Sequence, residues 1–186
     1  MKKDFEKAIY YAKMSAKSGN SFALCLLGDL HSGEGTFCDK PLAHEEYVLS
    51  SEKNNPLAKY KLGKLYAKNK EHDDIQRAMD LFFESGVSRA FVRYAFLSQC
   101  SSSGDSFEYY KVASDTGDAK GQLYLARCYK YGVGTKRDYA AAIVNYAESA
   151  KRGNETSQHE LERFVLLCLR VIGRLPQSDM EGKETF

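Results

Sequence analysis

Four histidines, five cysteines and one glycine-rich run are the features of this 186-residue chain whose residue types could do chemistry. The cysteines stand at 25, 38, 100, 128 and 168, with gaps of 13, 62, 28 and 40. An odd count without close pairs is no disulfide framework, and no C-x-x-C is present for zinc or dithiol work. His31, His44, His72 and His159 share no metal-ligand spacing. His72-Asp73-Asp74 falls in a turn, where its acids suit the cap of the next helix better than an ion site. Gly132-Val133-Gly134-Thr135-Lys136 lacks the G-x-x-x-x-G-K-[ST] spacing and the preceding strand of a phosphate loop. Its glycines instead suit a helix connection that needs positive φ. Cys25 and Cys128 have nothing nearby in sequence to lower a thiol pKa, so neither reads as a nucleophile. No catalytic residue, cofactor or metal is expected.

What remains is charge and apolar surface. The chain has 27 Lys+Arg against 25 Asp+Glu, a net +2, which supplies little of the long-range field of a nucleic-acid binder. No nucleic-acid partner is expected. No run approaches the roughly 20 apolar residues of a membrane span. Met1-Lys2-Lys3-Asp4-Phe5-Glu6 turns amphipathic at once, unlike a signal peptide. With free thiols, this predicts a cytoplasmic protein. Three prolines, 10 Phe and 13 Tyr leave room for long helices and fill a core, which excludes disordered and collagen-like classes.

The elements that position these residues repeat. Gly19, Asn54, Gly86, Gly117 and Gly153 each open a unit, at spacings of 35, 32, 31 and 36. Four residues on stand the small residues Ala23, Ala58, Ala90, Gly121 and Ser157, and four further Leu27, Leu62, Tyr94, Leu125 and Leu161. Small and large residues at these offsets share one helical stripe. A second helix in each unit carries residues spaced by four: Ala8-Ala12-Ala16, Ala43-Tyr47-Ser51, Ile75-Met79-Phe83, Ser106-Tyr110-Ser114 and Ala142-Tyr146-Ala150. Asp39 before Pro41, Asp74 and Asp138 mark helix starts. One helix pair cannot bury its apolar face alone, so successive pairs must stack. The predicted fold is all-α: a right-handed α/α superhelical solenoid of antiparallel pairs with about ten helices. Its predicted domain spans 1–174, with a lone helix at 4–18, four pairs over 21–152, a capping helix at 154–172, and then a polar tail at 175–186.

Tyr129-Lys130-Tyr131-Gly132-Val133-Gly134-Thr135-Lys136-Arg137-Asp138-Tyr139-Ala140-Ala141-Ala142, after Gly117-Asp118-Ala119-Lys120-Gly121-Gln122 and before Ala150-Lys151-Arg152-Gly153-Asn154, resembles a Sel-one-like repeat. That family is a tetratricopeptide-like solenoid, and the resemblance covers roughly residues 4–165. The first repeat keeps Gly33-Glu34-Gly35 and Asp39, whereas Lys68-Asn69-Lys70 and Ser101-Ser102-Ser103 replace the glycine-rich connection in the second and third. The resemblance implies a scaffold or adaptor that binds proteins. Cysteine-rich relatives linked to penicillin binding tie each pair with a disulfide, and this chain lacks their cysteine spacing.

In such stacks the first helix of each pair lines the concave side. Offsets of −1, +2, +6, +9 and +10 from the first small residue should project there. They bring together Tyr60, Lys64, Lys68, Arg89, Phe96, Lys120, Arg127, Lys130 and Tyr131 as candidate partner-binding residues, in rows that also hold Cys25, Val92 and Leu123. Across the four rows six positions are basic and one, Asp29, is acidic. An acidic or amphipathic protein segment is the expected partner, with rings giving contact area and cations giving steering. A toxin-neutralising immunity protein is one alternative reading, and a penicillin-binding-type hydrolase another. Leu161 through Ile172 is apolar nearly all round, and is expected either to cap the last pair or to meet a partner or second copy.

Overall fold

Each repeat opens on a left-handed residue. The backbone φ is +89° at Gly19, +57° at Asn54, +62° at Gly86, +81° at Gly117 and +83° at Gly153. Those angles end one helix and turn the chain into the next, a conformation glycine adopts freely and asparagine tolerates. One residue on, the amides of the new helix are capped. Asn20 accepts from the Phe22 and Ala23 amides, Asn55 from Leu57 and Ala58, and Asp118 from Lys120 and Gly121. Such a cap is worth about 1 kcal/mol. At Gly153 an added Cβ would meet nothing within 4 Å, so only backbone strain opposes substitution. Gly153→Ala is expected to cost about 1–2 kcal/mol in a urea melt, while Gly153→Asn is expected to cost about half as much or less.

A computed structural model describes residues 2–33, 38–69, 71–100 and 106–171, without the side chains of Lys2, Lys3, Cys100, Cys168, Arg170 and Val171. Among them it has ten helices and no strand: α1 (Lys2–Lys17), α2 (Ser21–Ser32), α3 (Lys40–Glu52), α4 (Pro56–Asn69), α5 (His72–Ser85), α6 (Ser88–Cys100), α7 (Ser106–Asp115), α8 (Ala119–Tyr131), α9 (Tyr139–Lys151) and α10 (Glu155–Val171). Residues 34–37, Lys70, Ser101-Ser102-Ser103, Ile172 and the 175–186 tail, all named above, lie outside the described residues. The chain divides into two compact units, Met1–Ser106 and Phe107–Phe186.

In the first unit α2 packs on α3 and α4 on α5 through the glycines of the small-residue stripe. A Cβ on Gly28 would stand 2.6 Å from Tyr47 Cε1, and one on Gly63 would stand 2.9 Å from Phe82 Cε1. Only a missing side chain lets helices approach this closely. Cys25, Ala43, Tyr47, Ala58 and Leu62 form one buried cluster across α2, α3 and α4. Ala78, Phe82 and Ala90 continue it into α5 and α6. Each pair therefore completes the core of the one before.

In the second unit Gly121 brings α8 onto α7, where Tyr110 and Tyr124 stack at 5.0 Å. Leu123, Ala126, Ala142 and Tyr146 join α8 to α9. α10 buries Phe164 and half-buries Leu161 against α9, leaving Val165, Leu166 and Leu167 about half exposed. Ser50 donates to the Ser21 carbonyl at 2.7 Å and Ser149, its counterpart, to the Ala119 carbonyl at 2.6 Å.

Asp39 and Asp138 cap α3 and α9, accepting from the Leu42 and Ala141 amides. The expected cap by the Asp73-Asp74 pair is corrected. Glu71 holds the cap position of α5 without a side-chain bond, and both aspartates lie in the first turn. There their charge still suits the positive end of the helix, and Asp74 accepts from Asn69 at 2.7 Å.

Candidate partner-binding site

Offsets of two from the small residue turn inward, against expectation. Cys25, Val92 and Leu123 are buried, and half-buried Tyr60 tilts onto Phe82 with ring centroids 5.9 Å apart. The +2 side of a first helix faces the second helix of its own pair: Cys25 joins Ala43 and Tyr47 of α3, and Leu123 joins Ala142 and Tyr146 of α9. Between two flanking helices only a narrow strip of the first helix is left to solvent.

On that strip in the first unit, Lys64, Lys68, Arg89 and Phe96 are exposed. Lys64 and Lys68 border a cleft of about 600 Å³ between α2, α3 and α4. Ala43, Tyr47, Leu65 and Tyr66 contribute its apolar lining, and Lys40, His44 and Lys61 complete the basic rim. The His44 ring meets Tyr66 edge-on at 5.8 Å. Asp29 supplies the acidic group of the lining, and its charge is already engaged. Tyr47 donates its hydroxyl to Asp29 at 2.7 Å, and Lys61 holds both carboxylate oxygens. Burial pushes the Tyr47 phenol well above its ordinary range, and the Asp29 carboxylate adds to this. Among the described residues no carboxylate pairs with Lys40, Lys64 or Lys68; the Lys64 ammonium stands 5.8 Å from the Tyr60 ring centroid. Three uncompensated cations thus surround one cleft, and the field inside a concave, partly apolar wall favours an anion.

In the second unit Lys120 and Tyr131 are exposed, but Arg127 and Lys130 are half-buried and paired. Lys130 lies 3.0 Å and Arg127 3.6 Å from Glu160 of α10. The Lys130 ammonium also lies 5.2 Å from the Tyr131 ring centroid and 5.7 Å from that of Phe164. Burial works against the Glu160 carboxylate. The hydrogen bond and charge of Lys130, with Arg127 and Arg163, outweigh burial and hold its carboxyl below the usual range. Both cations of this patch are thus engaged from within by one carboxylate. Glu160 and the Asp29–Lys61 pair escape a reading of single rows, because their partners lie 30 or more residues away.

The other candidate chemistry is structural. His31 is buried with Nδ1 2.7 Å from Glu46 Oε2. Burial pushes the Cys128 thiol up to about 11 and raises that of Cys25 against the opposing charge of Lys61, so neither offers a thiolate near neutral pH. Gly132 and Gly134 take positive φ in the α8–α9 connection, where the Asp138 amide donates to the Tyr129 carbonyl at 2.9 Å. Among the described residues no three His, Cys, Asp or Glu side chains gather into a metal site, and no helix is long and apolar enough to cross a membrane.

Stacked helix pairs, glycine-mediated close packing and repeat-opening αL residues define an all-α helical-repeat solenoid. The Sel1 repeat family model matches residues 1–20 and 119–154. A Sel1 repeat protein from Oxalobacter formigenes superposes with a TM-score of 0.82 at 24% identity, over 96% of this chain and 76% of that one. A protective antigen of uropathogenic Escherichia coli with an SLR fold gives 0.76 at 22%, over 87% of this chain and 37% of that one. DAP3-binding cell death enhancer 1 of Rattus norvegicus is 35% identical over 54 residues, which are 29% of this chain and 11% of that protein. The chain therefore spans about a tenth of this curated relative's length. The stretches matched by the Sel1 repeat model lie in both units, and the fold is shared with the Sel1-repeat structures. Such repeats typically form non-catalytic scaffolds for protein contacts.

Proposed function

We propose that the protein is a non-enzymatic scaffold that docks an acidic or amphipathic segment of a partner protein in the α2–α3–α4 cleft. The observation that carries this reading is the set of three lysines, Lys40, Lys64 and Lys68, around one cleft, none of them paired with a carboxylate among the described residues, while Asp29 of the lining is taken by Lys61 and Tyr47. Tyr47 and Tyr66 offer ring surface beneath them, so a partner would gain apolar contact as well as charge. Free thiols at Cys25, Cys38 and Cys128 fit a reducing compartment, the cytoplasm in this reading.

A fluorescein-labelled octaglutamate peptide serves as probe in anisotropy titrations. Lys64→Glu with Lys68→Glu is expected to weaken binding at least ~30-fold, since each reversal removes an attraction and adds a repulsion of about 1 kcal/mol. The affinity should also fall with rising salt. Unchanged affinity in the double variant, or binding indifferent to salt, refutes the docking site.

A further inference from the structure

Two of the three ion pairs described above, Asp29–Lys61 and Arg127–Glu160, occupy the same place in the repeat, while Lys130 reaches Glu160 from nine residues after Gly121. Asp29 lies six residues after the small residue Ala23 of α2, and its partner Lys61 lies three after Ala58 of α4. Arg127 lies six after Gly121 of α8, and its partner Glu160 lies three after Ser157 of α10. Successive first helices therefore present a +6 and a +3 position to one another, and each pair is filled by opposite charges with the polarity reversed. A tyrosine of the intervening second helix accompanies both. Tyr47 donates to Asp29, and Tyr146 feels the charges of Glu160, Lys130 and Arg127.

The same offsets in the first unit fall on Lys64 of α4 and Arg93 of α6. Both are exposed cations, and among the described residues neither has a carboxylate partner. The position of the accompanying tyrosine is held by buried Phe82 of α5, which meets Gly63 as Tyr47 meets Gly28 and offers no hydroxyl. An arrangement that elsewhere closes on an internal carboxylate is here built from two donors and no acceptor. Arginine presents a planar fork and lysine a point charge, a combination that can grip one carboxylate from two sides.

We propose that a carboxylate of the partner segment bridges Lys64 and Arg93, taking the place that Asp29 and Glu160 hold in their own pairs. The proposal rests on the docking reading above and adds Arg93 to it as a partner-binding residue.

Two variants of Arg93 test this, with Lys111→Glu on the other unit as a control for the general field. Against labelled octaglutamate, Arg93→Gln is expected to weaken binding about 3–10-fold and Arg93→Glu to weaken it more, while Lys111→Glu stays near the parent. Without any peptide, Arg93→Glu is expected to raise the thermal midpoint by about 1–3 °C, because the new carboxylate completes the pair with Lys64. Lost binding with gained stability is a combination that damage to the fold cannot produce. Parental affinity in both Arg93 variants overturns the proposal, and if the Lys64/Lys68 double variant still loses binding, the docking reading survives alone. A lowered midpoint in Arg93→Glu also overturns it, on geometry and independently of any ligand.

Discussion

Phe82→Ala is expected to destabilise the protein by about 3–5 kcal/mol, enough on its own to leave a marginal fold largely unfolded at 37 °C. Phe82 is fully buried and belongs to the cluster with Ala78 of its own helix and Ala90 of α6, with Tyr60 of α4 tilted against it. Its ring lies where a Cβ on Gly63 would stand, 2.9 Å from Cε1 and 3.0 Å from Cδ1. Removing the ring therefore opens a void across three helices.

The same geometry predicts a change of sign. In the parent, Gly63→Ala gains about 1 kcal/mol of helix propensity but drives a methyl into the Phe82 ring, so it should be net destabilising. In the Phe82→Ala background the clash is gone, the methyl fills part of the void, and Gly63→Ala should stabilise. The Ala78 carbonyl, 3.2 Å from the added carbon, then remains the nearest obstacle. Urea melts of the four proteins measure this coupling. Additive effects at the two sites would mean that glycine and ring do not share one space.

Much of this packing is written in the sequence because each feature has a local chemical cause. Positive φ selects glycine or asparagine, so the repeat openings stand out at Gly19, Asn54, Gly86, Gly117 and Gly153. Close helix approach selects small residues at a fixed offset, and an N-cap selects Asn or Asp one residue after the opening. The third repeat shows where this fails. Val87 stands where the others carry Asn or Asp, and the Ser85 hydroxyl accepts from the Val87 amide at 3.3 Å instead. A reader of spacing alone finds no cap there.

The site was less legible because charge pairing depends on how successive helices register against each other. Arg127 and Lys130 look like free cations in their own row, and Glu160 looks like an ordinary acid in another. Only the alignment of positions +6 and +9 of α8 with +3 of α10, visible once the helices are set side by side, brings them together. The inward turn of Cys25, Val92 and Leu123 has a related origin. A helix gripped by its own pair and by the next pair keeps a narrower solvent strip than one-sided amphipathicity suggests.

A third close approach gives the other large expected effect. At Gly121 an added Cβ would stand 2.7 Å from Ala113 Cβ, 2.8 Å from the Ala113 carbonyl carbon and 2.9 Å from the Ser114 amide nitrogen. Two of these three atoms are backbone, so the neighbour cannot yield by rotating a side chain; α7 and α8 must move apart. Gly28 makes the contrast, since its obstacle is the Tyr47 ring, which can tilt at the cost of its bond to Asp29. Gly121→Val, which adds two methyls beyond the Cβ and a β-branch, is expected to cost about 3 kcal/mol, against about 1 kcal/mol for Gly28→Ala. Separating α7 from α8 should also break the Tyr110–Tyr124 stack at 5.0 Å, so near-ultraviolet dichroism of tyrosine should fall before helicity does. Native-state hydrogen exchange should locate the damage, with amides of α7 and α8 losing protection first. If Gly121→Val melts within about 0.5 kcal/mol of the parent, the helices of this pair do not meet backbone to backbone, and glycine is not what holds them together.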